Sequence, residues 1–345
     1  MREVCMSGST IQFPQKFQGI FKRSQASFAP HLQVARQLLN SLNIPAPLQH
    51  VWDYVVVDNP QPSFILLPLL FLSLAEQLGG ITPAHQRALP VIMLTMEAVA
   101  VMDDTVDISS RRSERATVPA RFGVTQATPI ATSLTATIAE LAVEIDPRLV
   151  QPTMNFLREL GALQIWEVEH SYPEQAEWDE WMQQRYRQGQ IATEFALNLA
   201  LMYHRQAPFP ATPAYFFAQI MQDVDDVVGL LEQRVQFGEG CDLQRGRVIA
   251  PLADACDNNI QLASLISQLW RKKQALLAES NQTTFQQLNQ HVLEAGLATT
   301  LDRLTQIAIA CEEQTPPALQ AWMYDVICTF MARLSGVGLA QTQTA

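Results

Sequence analysis

The chain is poor in the features that usually fix a function class early. Its five cysteines, at 5, 241, 256, 311 and 328, are odd in number and widely scattered, with no CxxC or Cys/His spacing. That excludes a disulfide framework or a zinc site as the organising principle and suits a reducing compartment. Cations are scarce: 23 Lys and Arg against 34 Asp and Glu give a net charge of −11. A broad electrostatic grip on nucleic acid or anionic lipid is excluded, so an anionic substrate must be held locally, by metal or a few cations. Long hydrophobic runs are missing as well. The longest, residues 64–72, is broken by Pro68 and is too short to span a bilayer, and the first residues hold no apolar stretch of signal length. The expectation is a cytoplasmic protein without a transmembrane segment.

What the chain has in quantity is apolar side chains. With 48% hydrophobic and 17% charged residues, most of it can bury a core and disorder is excluded. The apolar residues recur at helical spacing, as in Phe64, Leu67, Leu70, Phe71 and Leu74, or Leu262, Leu265, Ile266 and Leu269, and no window shows convincing strand alternation. Helix ends are expected at Gly79-Gly80 with Pro83, then at Pro119, Pro129, Pro147, Pro152, Pro173, the run from Pro208 to Pro213, and Pro316-Pro317. The reading is an all-α, single-domain protein of about ten to twelve helices around a deep central cavity. It assigns residues 1–30 to a loose arm, 31–335 to the domain and 336–345 to a flexible tail. No period of 20 to 50 residues repeats, which argues against a solenoid.

The most informative segment runs from Glu97 to Asp107. Its lead-in, Leu89 to Met102, is apolar nearly all round and ends in Asp103, Asp104 and Asp107. Asp103 and Asp107 are one helical turn apart and share a face, an arrangement that is costly unless a cation sits between them. Hard oxygen ligands at that spacing suit Mg²⁺, which leaves positions for substrate phosphates; the bland alternative is a solvated acidic helix end. Arg111, Arg112, Arg115 and Arg121 follow at once and form the densest basic stretch of an acidic protein. Acid then base is what a metal–diphosphate site needs, although ordinary ion pairing of these arginines is the competing account.

A later segment repeats the theme. Gln222, Asp225 and Asp226 stand at i, i+3 and i+4 on an otherwise apolar stretch, so an amide and two carboxylates share a face. A turn-rich segment follows, from Gly240 through Asp242, Leu243, Gly246 and Arg247 to Pro251.

These residues resemble the trans-isoprenyl diphosphate synthases and the class I terpene synthases that share their fold. Asp103-Asp104-Thr-Val-Asp107 matches the first aspartate-rich motif, and Thr117, Val118, Phe122 and Gly123 fall in register with the family's downstream segment. The stretch Gln222 to Gly229 is similar to the second motif, QxxDDxxD, except that Gly229 replaces its last Asp. The segment Gly240 to Arg247 resembles the family's GxDLxxGK. The likeness implies three Mg²⁺ held by Asp103, Asp104 and Asp107 and by Asp225 and Asp226. It implies diphosphate binding by Arg112, Arg111, Gln222, Arg247 and, in place of the family's Lys-Thr pair, Arg187. It further implies an allylic prenyl diphosphate substrate and a homodimer.

The departures fall on one job. In chain-elongating members, isopentenyl diphosphate is held by a GKxxRP segment, a His seven residues before the first motif and the second Arg after it. The matching positions here are Phe64, Leu67, Met96 and Ser113. Without those four groups a second diphosphate loses charge-assisted hydrogen bonds of about 1.5–3 kcal/mol each. The resemblance then implies that the enzyme ionises the allylic diphosphate and lets the carbocation cyclise or be quenched by water. Transfer to a non-phosphorylated acceptor, ordinary chain elongation and a non-catalytic partner subunit are the alternatives. Short-chain members of the family carry aromatic rings one turn below the first motif, and the resemblance therefore implies that Ala98 and Val99 there leave the tail end of the cavity open for a chain of about C20 or longer, with Phe195 on its wall. The competing account of these small residues is close helix packing. Trp166, Trp178 and Trp181 read as core ahead of a cation-stabilising wall, and His170 and His204 as surface or satisfied histidines.

Overall fold

A computed structural model of the chain describes residues 2–6, 9–13, 20–59, 65–112, 115–231, 242–243, 245–257, 259–271 and 282–341. Phe64 and Ser113 lie outside them, as does Gly240. The described residues pack as two compact units, 22–164 with 191–209 and 1–21 with 165–190 and 210–345. No linker separates the two, because α7 (Val150–Glu169) and α8 (Trp178–Tyr203) each contribute residues to both. That is why no composition shift marks a boundary in the sequence.

In the first unit, α1 (Ile20–Asn40) is followed by α2 (Ala46–Trp52), which runs on through a π-helical turn at Asp53–Val57. Next come α3 (Leu66–Gln77) and α4 (Pro83–Asp107). Gly79 and Gly80, at φ of 120° and 112°, make the connection in backbone conformations that L side chains rarely adopt. Thr82 then caps α4: its hydroxyl accepts from the His85 amide while His85 Nδ1 accepts from the Thr82 amide, and Pro83 occupies the first helical position. As its all-round apolar sequence requires, α4 is buried from Ala88 to Val101, packed against α3 and α6 (Val124–Ile145). Pro129 does not end a helix. It lies inside α6, which forfeits one backbone hydrogen bond there while its buried face, Ala127, Ile130, Leu134, Ile138 and Leu141, stays continuous.

The second unit is built on α9 (Ala211–Leu231), α10 (Ala250–Asp257), α11 (Ile260–Arg271), α12 (Gln282–Gln314) and α13 (Gln320–Gln341), with the first part of α8. Trp178, Trp181, Tyr186, Ile249, Leu252 and Trp270 are buried in one cluster there, so Trp178 and Trp181 are core and not an exposed wall. Both α9 and α10 pack on α12.

Thirteen α-helices occur among the described residues, more than the sequence pattern indicates; α2 and the five-residue α5 (Val118–Phe122) are too short to show a period. Two other departures are small. The segment read as an arm contains the antiparallel hairpin β1 (Arg2–Met6) and β2 (Ser9–Phe13), and α1 begins inside it. A second two-residue ladder, β3 (Arg111–Arg112) with β4 (Arg115–Ala116), follows α4.

At the α10–α12 crossing a Cβ on Gly296 would meet the Pro251 carbonyl oxygen at 2.0 Å and the Ala255 Cβ at 3.0 Å. Gly161 in α7 has no atom within 4 Å of such a Cβ. Gly296→Ala is therefore expected to destabilise by about 1–3 kcal/mol, and Gly161→Ala to stabilise by about 0.5–1 kcal/mol. Urea unfolding checks the opposite signs.

Candidate functional site

The first acidic cluster lies at the C-terminal end of α4. Asp103 and Asp107 are partly exposed and Asp104 is buried. The helix stops at Ile108, whose φ of 51° puts a β-branched residue in the left-handed region, a strained conformation. The amides of Ile108 and Ser109 both donate to the Asp104 carbonyl, and the Thr117 hydroxyl donates to the Ser109 carbonyl. This tight reversal returns the chain beside the helix it has just left.

The reversal delivers Arg112. Its Nη2 donates to Asp103 Oδ2 at 2.5 Å and to Asp104 Oδ1 at 2.9 Å, and its Nε to Asp104 Oδ1 at 3.1 Å. Desolvation opposes the charge on Arg112, but the two carboxylates outweigh it and hold the guanidinium above its ordinary value. Asp104, with both oxygens on Arg112, acts as an anchor for that cation. Asp103 and Asp107 keep the more open positions.

The remaining arginines of the basic stretch divide. Arg115 stacks 3.7 Å from the Tyr54 ring centroid and donates to the Tyr54 carbonyl, and Arg121 lies 4.2 Å from the same ring. Tyr54 in turn donates its hydroxyl to the Ala116 carbonyl. These contacts brace the loop. Arg111 is exposed.

Within the same unit, the expected cavity residues Leu67, Met96, Ala98, Val99 and Phe195 are all buried, Met96 at 1% and Ala98 at 0% exposure. Phe195 stacks on Phe156 with ring centroids 4.5 Å apart. His204 Nε2 donates to the Ala75 carbonyl and the ring lies beside His85, and in the other unit exposed His170 stacks on Trp166.

The second acidic cluster, on α9 in the other unit, separates its carboxylates sharply. Asp225 is exposed and paired with Arg333 Nη2 at 2.8 Å. Asp226 is buried: its Oδ1 accepts from Arg185 Nη2 at 2.8 Å and from Gln222 Nε2 at 2.9 Å, and its Oδ2 from the Ala250 amide that opens α10. Gln222, expected to reach a diphosphate, thus faces Asp226. Arg247, expected to do the same, is bound to Glu167 at 2.6 Å and Asp242 at 3.3 Å. Arg187 is half-buried on α8. Burial pushes Asp226 up and Arg185 pulls it back; desolvation raises the half-buried Asp242 too, yet Arg185 and Arg247 together hold it at about 2. With three donors on its oxygens, Asp226 is carried as a carboxylate.

Sequence reading does not find the neighbouring network. Asp223, 0% exposed, accepts from the Tyr186 hydroxyl at 2.8 Å and from Arg303 Nη1 at 2.8 Å; Arg303 Nη2 and the Thr300 hydroxyl donate to Asp254 at 3.0 and 2.6 Å. Thr300 and Arg303 share a face of α12 at i, i+3. That spacing is the one sequence signal, and nothing in the chain names their partners. Among the described residues, no three His, Cys, Asp or Glu side chains are grouped closely enough to hold a metal ion by themselves.

The family model described as polyprenyl synthetase matches residues 65–288, more than half of the chain. The chain belongs to the polyprenyl synthetase family. Among solved structures it is similar to a polyprenyl synthase from Caulobacter crescentus, solved as a complex with calcium and isoprenyl diphosphate. That likeness has 15% identity and a TM-score of 0.70, covering 92% of this chain and 98% of that one. A heptaprenyl diphosphate synthase from Staphylococcus aureus is similar at 14% identity and TM-score 0.70, covering 88% and 97%. So is a geranylgeranyl pyrophosphate synthase from Corynebacterium glutamicum, also with calcium and isoprenyl diphosphate, at 15% identity and TM-score 0.66, covering 94% and 99%. At these identities the likeness shows the all-α isoprenyl diphosphate synthase fold. None of the curated proteins matches the chain. No helix among the described residues is long and apolar enough to cross a membrane.

The two ion-paired networks on α9 should behave differently on mutation. Arg303→Met leaves Asp223 and Asp254 buried without their cation and is expected to cost about 3–5 kcal/mol in urea unfolding. Arg333→Ala removes an exposed partner of Asp225 and is expected to cost less than about 1 kcal/mol.

Proposed function

We propose that this protein is a class I terpene synthase: it ionises an allylic prenyl diphosphate with Mg²⁺, then cyclises or quenches the cation without condensing isopentenyl diphosphate. One observation carries the reading. At positions where chain-elongating relatives hold the second diphosphate, this chain has Leu67 and Met96, and both are buried apolar side chains of a packed core, at 6% and 1% exposure. A diphosphate placed there meets no donor, so it forfeits about 1.5–3 kcal/mol for each charge-assisted hydrogen bond.

The first acidic cluster fits a divalent ion by its donor chemistry, hard carboxylate oxygens one helical turn apart at a partly exposed helix end. When bound, the metal neutralises charge on the leaving diphosphate and lowers the barrier to C–O cleavage. Asp103 and Asp107 hold it. Arg112, fixed by Asp104 and within reach of Asp103, binds the diphosphate oxygens that the metal leaves free, with exposed Arg111 beside it. Val99 and Phe195 supply apolar surface for the prenyl tail, and the small side chains of Ala98 and Val99 below Asp103 favour a chain of about C20 or longer. The protein works in the cytoplasm as a homodimer.

A second reading, transfer of the prenyl group to a non-phosphorylated acceptor, rests on the same two buried apolar positions, because it too dispenses with a second diphosphate. Purified protein is to be incubated with Mg²⁺ and C15, C20 or C25 allylic diphosphates. Diphosphate release with a hydrocarbon or alcohol product, without isopentenyl diphosphate, is the expected result; release only after an acceptor is added selects the second reading. Elongation by isopentenyl diphosphate would sink both. No turnover, with rescue of a homologue's activity, would make the chain a partner subunit. Asp103→Ala is expected to lower turnover by about 10²–10³-fold or more.

A further inference from the structure

Asp226 sits where the second acidic motif of the family resemblance calls for a metal ligand, and its surroundings do not suit one. A carboxylate offers about four lone-pair sites, and three of Asp226's already face donors: Arg185, Gln222 and the Ala250 amide. The same Arg185 Nη2 reaches Asp242 Oδ2 at 2.8 Å, so one guanidinium joins the two acids. Beyond Asp242 the charges continue to alternate, through Arg247 to Glu167, which also accepts from Gln188 at 2.8 Å.

Counting this chain, three carboxylates (Asp226, Asp242, Glu167) face two guanidiniums (Arg185, Arg247), a net of −1. A divalent ion added at Asp226 would turn that into +1 in a buried region, directly beside a fixed cation. Arg185 has no room to withdraw. Its side chain is 8% exposed, its Nε is buried without a hydrogen-bond partner, and Trp181 lies alongside with the guanidinium carbon 5.6 Å from its ring centroid.

We propose that Arg185 is a built-in counter-ion that takes the place of a divalent cation at Asp226, so that metal binding depends on the first acidic motif and, on α9, on the exposed Asp225 alone. This rests on the metal-dependent reading of the first motif. In it, Arg185 is a positioning residue: it ties α8 to α9 and to the Asp242 turn. Gly246, at φ 69°, closes that turn so tightly against Tyr172 that a Cβ would lie 2.3 Å from its ring.

The test reads metal directly. Mn²⁺ is titrated into the full chain with inorganic diphosphate present, and bound ion is counted by electron paramagnetic resonance. Asp226→Asn is expected to keep the wild-type stoichiometry, with affinity within about twofold, and Asp103→Asn to weaken binding at least tenfold. Arg185→Met is expected to gain one Mn²⁺ equivalent; circular dichroism establishes that it folds, and if it does not, Asp226→Asn still decides. Loss of a bound Mn²⁺ in Asp226→Asn overturns the inference whatever Asp103→Asn does. Undiminished binding in Asp103→Asn instead overturns the metal reading of the first motif, while undiminished binding in Asp226→Asn still upholds the role of Arg185.

Discussion

A carboxylate taken out of water needs a cation, and that constraint organises both acidic segments of this protein. At the end of α4 the buried member is Asp104, and Arg112 answers it. On α9 the buried members are Asp223 and Asp226, answered by Arg303 and Arg185. In each segment the acid that stays open to solvent is a neighbour of the buried one, Asp103 or Asp107 in the first and Asp225 in the second. Motifs that read as uniform strings of aspartates are therefore split by burial. Some of their acids are buried and fix the backbone and an arginine, and the rest lie nearer to solvent, where the proposed reading places an ion and its diphosphate.

The chain bears conformational strain to make this arrangement at the first cluster. A β-branched residue with positive φ costs on the order of 1–3 kcal/mol, and Ile108 adopts that conformation directly after the motif. What offsets it is the reversal itself. Two amides cap the Asp104 carbonyl, Thr117 fastens the returning strand, and Arg115 and Arg121 close over Tyr54. Extending the helix past Asp107 would carry Arg112 away from Asp103 and Asp104. The strain and the ion pair are two sides of one structural choice.

Much of this was legible in the sequence, and the reasons differ by element. Helical periodicity and the all-round apolar run before Asp103 gave the all-α fold and the burial of α4, because both are local properties. Gly79, Gly80 and Pro83 marked a helix boundary that the capping geometry bears out. Pro129 misled, since a proline ends a helix only where packing does not hold the helix on both sides of it. The division of the aspartates was not legible at all. Spacing shows that Asp225 and Asp226 point to nearby faces, but which of them is buried depends on Arg185, Asp242 and Ala250, set by tertiary packing.

The distribution of arginines then bears on function more than their number does. An acidic chain has few cations to place, and here Arg185, Arg247 and Arg303 are committed to internal carboxylates while Arg115 and Arg121 are committed to Tyr54. Arg112, partly exposed and paired with the partly exposed Asp103, is the cation that the proposed reading has exchange its carboxylate for a diphosphate. In that reading one diphosphate is served from that end of α4. At Leu67 and Met96 the fold has instead continued its core, and it is on this asymmetry that the proposed ionisation of one allylic diphosphate, without condensation with another, rests.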